Sequence, residues 1–159
     1  MMEEVFLSYL KLLQELSRDL DRLAQLEQQK SGTVRDNDLL ALDEVLKQEQ
    51  ALSLSLRGLE IKRGRLSAQL GLDNVPLDQL AQRCPPHLQE QAKGTVSTLR
   101  SSYSVYRSYA DLARSALELN LHQIDKFLLD AGVDPKLAAE GYEAPPMEPP
   151  KKMKTDFRA

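Results

Sequence analysis

Few residues in this chain combine a reactive type with a useful spacing. Ser8 and Lys11 form an S-x-x-K string, in which a lysine can activate a serine nucleophile. No companion motif accompanies it and the segment is Leu-rich, so the two read as ordinary helix-surface side chains. Asp36-Asn37-Asp38 resembles the opening of a calcium loop. The glycine and the distant glutamate that would complete the coordination sphere are missing, so a turn and an N-cap are the expected roles. His122 and Asp125 lie one helical turn apart and could share a hydrogen bond, but no nucleophile or second carboxylate joins them. His87 follows Pro85 and Pro86 at a helix start, where exposure is expected. Cys84 precedes the same helix, whose N-terminus could lower a thiol pKa; a half-buried filler is the simpler reading. Gly58, Gly64 and Gly94 stand singly within helical patterns and cannot cradle a phosphate. They either permit close approach or bending, or are merely tolerated. One cysteine and two histidines make no metal-ligand set. No enzymatic activity, cofactor or metal is expected.

Stepping from side chains to the elements that must hold them, composition points to helices. The 159 residues allow one domain with a tail. Hydrophobic residues are 42% and charged residues 28%, which excludes both a bilayer protein and disorder throughout. Thirty residues are Leu, aromatics are only 5% and Trp is absent, which disfavours β-sandwiches and barrels. Net charge is −3 with no dominant basic face, so nucleic acid is not an expected partner. The first ten residues carry Glu3 and Glu4 where a signal peptide needs base, and no window is long and apolar enough to span a membrane. No membrane insertion is expected, and the expected location is the cytoplasm.

Periodicity then places the elements. Val5, Tyr9, Leu12, Leu16, Leu20, Leu23 and Leu26 step by three and four, predicting a helix over 3–30 that ends at Ser31-Gly32. A second helix is expected over 39–70, with Asp38 as N-cap, a seam of Leu42, Val45, Leu52, Leu56, Leu59, Leu66 and Leu70, and Gly71 as stop. Pro76 opens a short connecting helix over 76–83. The strongest signal runs from about 87 to 131, where Ala92, Val96, Leu99, Tyr103, Tyr106, Ala110, Ala113, Leu117, Asn120, Ile124, Phe127 and Ala131 form one seam. Such a helix is roughly 65 Å long. The expected fold is therefore all-α: an elongated antiparallel up-down bundle of three long helices, with a short connecting helix, over residues 1–131. Residues 132–159 hold five prolines and the basic Lys151, Lys152 and Lys154, and read as a flexible tail. With Phe157 that cluster is a solubilising end or, alternatively, a docking peptide.

Two features of these helices bear on function. Glu49, Arg63 and Asn120 occupy seam positions, where an unpaired polar group costs several kcal/mol, so each is expected to find a partner, face solvent or set register. The third helix also carries Val105, Tyr109, Leu112, Ala116 and Leu119 beside its seam, with Leu121 and Leu128 on the other flank. This apolar arc exceeds the ~100° stripe of a surface helix. Either two other helices cover it, or part of it stays open for another protein's helix.

The run Glu49-Gln-Ala-Leu-Ser-Leu-Ser-Leu-Arg-Gly-Leu-Glu60-Ile-Lys-Arg63, followed by Leu66 and Leu70-Gly71-Leu72, resembles the second helix of the FlgN-type flagellar export chaperones. Ala113-Arg-Ser-Ala-Leu-Glu-Leu-Asn120-Leu-His-Gln-Ile-Asp-Lys-Phe-Leu128 is similar to that family's Asn-centred late helix. The resemblance covers roughly 1–131. It implies a cytosolic all-α protein without enzymatic activity or cofactor. It further implies binding of hook–filament junction (hook-associated) proteins and their delivery to the flagellar type III export apparatus. The family's clients sit on the C-terminal part, which directs attention here to Tyr109, Leu112, Leu119, Asn120, Leu121 and Leu128. A chaperone of this kind is expected to be a monomer or weak dimer. The competing reading is a structural coiled-coil or scaffold protein that self-associates through the same strip.

Overall fold

Leu10, Leu13, Leu16 and Leu20 follow one another at helical spacing and are almost wholly removed from solvent, as is Leu99 far along the chain. Burial of this kind requires helices on more than one side of the first segment. The computed structural model, which describes residues 2–134, supplies them. Its helices are α1 (Met2–Arg35), α2 (Leu39–Gln69), the single turn α3 (Leu80–Arg83) and α4 (Gln89–Asp130), with 3-10 turns at Leu77–Gln79 and Pro86–Leu88. Among the described residues there is no strand, and the molecule is an all-α helical bundle. The tail reading, from residue 135 onward, lies outside the described residues.

Polar pairs between helices fix their directions. Lys30, Asp19 and Tyr9 of α1 meet Glu49, Ser55 and Arg63 of α2, so those two run antiparallel. Glu3 bonds His87 just before α4, and Asn37 just after α1 bonds Asn120 within it, so α1 and α4 run parallel. The order is up, down, up. α1 is the shared helix, with α2 and α4 each packed along it and far less against each other. The sequence had pointed instead to the last helix as the one in need of two partners. The signal on α1 was present: Phe6, Leu10, Leu13 and Ala24 form a second buried stripe beside the one at Leu12, Leu16 and Leu23. Two apolar stripes on one helix need two neighbours.

Helix ends follow local chemistry. α1 continues past the expected stop at Gly32, because Ser31 and Thr33 bond back to the carbonyls of Glu27 and Lys30 and the added turn buries Val34. It ends where Asn37 takes φ 54°, with the Asp38 amide donating to the Thr33 carbonyl. Asp38 then caps α2 as expected, its Oδ1 accepting from the Ala41 amide at 3.1 Å. Gly71, at φ 67°, closes α2 in the same way. The expected short helix is a 3-10 turn running into α3, with Pro76 at the position before it rather than inside it. This connection buries Leu72, Leu77, Leu80, Ala81, Cys84 and Leu88 at the base of the bundle, where Arg100 pairs with Asp78.

Candidate functional site

The α1–α4 register decides what is left open. Asn37, one residue into the turn after α1, sits against Asn120 at 3.3 Å. α4 continues to Asp130, so its last ten residues, ~15 Å of helix, run beyond the end of α1. The seam of α4 shows the consequence directly. Ala92, Val96, Leu99 and Ala113 are buried, Leu117 and Asn120 are half-buried, and Ile124, Phe127 and Ala131 are exposed. The periodicity goes on; the helices that would cover it do not.

The sequence-nominated residues fall around this overhang. Leu112, Leu119 and Leu121 are exposed, at 60%, 59% and 59%. Tyr109 and Leu128 are half-buried, and Asn120 is half-buried with its amide donating to Asn37 Oδ1. Leu119 and Leu121 lie on opposite sides of Asn120, so they widen the surface rather than share one line. Sequence reasoning assigned Ile124 and Phe127 to the core seam and so passed over them, although Phe127 is 71% exposed. Comparing helix lengths could have found them, since a helix of about 45 residues cannot be covered end to end by one of about 30. Leu39 and Leu40, exposed at the start of α2, adjoin the same end through the turn at Asn37.

The two charged seam positions are spent inside the bundle. Lys30 of α1 lies 3.1 Å from Glu27 and 2.7 Å from Glu49 of α2. Glu49 Oε2 is shut off from water without a hydrogen-bond donor, so the Lys30 charge is what compensates it. Burial, then the nearby Glu49 carboxylate, push Glu27 up to about 7. Burial and the same two carboxylates push the Tyr106 phenol of α4 up to about 12. Burial disfavours the Arg63 charge, but its two-pronged contact with Glu60 and its bond to the Tyr9 hydroxyl outweigh that, holding the guanidinium above its usual range. These groups tie α2 to α1 and point away from the overhang.

Nothing described gathers the parts of a catalytic centre. Ser8, Lys11, His122 and Asp125 are exposed. Burial raises the Cys84 thiol, the reverse of what a reactive cysteine needs. An open depression of about 270 Å³ beside α3 is lined by Leu77, Ala81, Val96 and the Arg100–Asp78 pair. Among the described residues no three His, Cys, Asp or Glu side chains converge as metal ligands, and no helix is long and apolar enough to cross a membrane. The arrangement offers instead an apolar helical surface without a covering element.

Comparison with known proteins bears on the same residues. A family model described as FlgN protein matches residues 2–129. No curated protein and no solved structure matches the chain.

Proposed function

This chain belongs to the FlgN family of flagellar export chaperones, and we propose that it holds hook–filament junction proteins on the overhang of α4 before their export. One observation carries the proposal: the apolar seam of α4 outruns its companion helices, leaving Ile124 and Phe127 open beside Leu112, Leu119 and Leu121. An amphipathic client segment laid along this surface would remove apolar area from water at about 25 cal/mol per Å². Ordering the segment offsets much of that gain, so the complex is reversible, as release to an export apparatus requires. Tyr109, Asn120 and Leu128 border the surface and complete the client contact. No cofactor takes part, and the work of unfolding and export falls to the secretion machinery. The setting is cytoplasmic, and the chaperone is a monomer or weak dimer.

Titration calorimetry of the full chain against terminal segments of hook-associated proteins tests this reading. Leu119→Asp with Phe127→Asp should weaken client binding by about 100-fold or more, taking each as an anchor worth about 2 kcal/mol, while circular dichroism stays unchanged. Unchanged binding in that variant would remove the overhang from the client site. A tight, stoichiometric self-assembly in light scattering would favour the scaffold reading instead.

A further inference from the structure

The overhang has a rim as well as a face, and the rim is acidic. Residues 118–134 contain Glu118, Asp125, Asp130 and Asp134, with Lys126 as the one Lys or Arg. The neighbouring residues 36–44 add Asp36, Asp38, Asp43 and Glu44, with no Lys or Arg among them. All eight side chains are exposed. The fold gathers them, because the Asn37–Asn120 contact sets the α1–α2 turn beside the stretch of α4 where its cover ends. α1 and α4 run parallel, so both also direct their carbonyl ends, the negative ends of their dipoles, toward this region. A basic residue in the last turn of α4 would relieve that field; the turn has none and carries Asp130. The local choice opposes helix stability, and such departures are expected where a surface serves binding.

Resting on the client-holding reading above, we propose that the segment accepted here is a basic amphipathic helix: an apolar face flanked by Lys and Arg. Its apolar residues cover Leu119, Ile124 and Phe127, while its cations meet Glu118, Asp125 and Asp130 on the shoulders of α4. The same charge disfavours a second copy of this chain as occupant, since a two-fold contact through this end would set like charges against each other.

The test uses the full chain and two synthetic amphipathic peptides with identical leucine faces, one flanked by lysines and one by glutamates. Fluorescence anisotropy should show the lysine peptide binding at least about tenfold more tightly at low salt. That gap should close near 1 M salt, where the screening length is ~3 Å. Reversing the rim with Glu118→Lys, Asp125→Lys and Asp130→Lys should invert the preference, with helicity checked by circular dichroism. Equal binding of both peptides would overturn the charge inference while leaving the apolar docking surface in place. Failure of both to bind would sink that surface itself. If Lys151→Glu, Lys152→Glu and Lys154→Glu together tighten lysine-peptide binding more than about tenfold, the chain's own basic segment is the occupant and the inference of a foreign helix falls.

Discussion

Glu27 lies almost dry between α1 and α2, with Lys30 and Glu49 as charged neighbours and Tyr106 facing it from α4. Its carboxyl titrates near about 7 instead of the ordinary 4.5. Between those values the folded protein keeps a proton that the unfolded chain has released. The resulting stabilisation is full on the acid side of the window and is lost as pH rises through about 7. Glu27→Gln cannot titrate, so it should flatten the dependence of urea-unfolding free energy on pH between about 5 and 8. An unaltered slope would assign that dependence to other groups. The glycines of α2 make a second residue-scale case. The sequence left open whether Gly58 and Gly64 allow close approach, and the structure shows open space where a Cβ would stand at either. Replacing each by Ala should therefore raise stability, by up to about 1 kcal/mol, in chemical denaturation.

The helices differ in how much holds them. α1 buries residues along its whole length, from Phe6 to Val34, whereas α2 fully buries only Val45, Leu56 and Ser67. α2 also leaves Leu39, Leu40, Leu54 and Ile61 more than half exposed. Hydrogen exchange should consequently find the middle of α2 opening at lower free energy than the middle of α1. Equal protection would show that the ion pairs, not apolar burial, govern the hairpin. Within α4 the contrast lies along the helix. Leu99→Ala should cost about 2–5 kcal/mol because it leaves a cavity in the packed core. Phe127→Ala, on the overhang, should fall within about 0.5 kcal/mol of the parent. Thermal unfolding of the two variants measures both values, and a large loss at Phe127 would place it in the core after all.

At the scale of the whole molecule, the bundle is asymmetric from base to tip. The base is closed by the connection through α3 and by the Glu3–His87 bond, whereas the tip exposes the apolar overhang within an acidic rim. A net charge of −3 over the chain conceals this, because position along the fold, not the total, sets the local field. At low salt the tip should therefore attract cationic segments, while its like charge keeps copies of the chain apart. Sedimentation of the full chain at low salt should find a monomer or weak dimer. A tight dimer persisting under those conditions would contradict that balance.

Much of this was legible in the residues themselves. Apolar spacing gave the helices, Asp38 and Gly71 marked a start and a stop, and the run from Ala92 to Phe127 gave one continuous seam. These are local matters, decided by backbone chemistry and by which side of a helix is apolar. Which helix sits between the other two, which residue closes Glu49, and where the cover of α4 ends were settled only in three dimensions. A seam records that a side chain prefers to leave water. Whether a neighbour reaches far enough to grant that preference depends on relative lengths and register, and at Phe127 the neighbour has already ended.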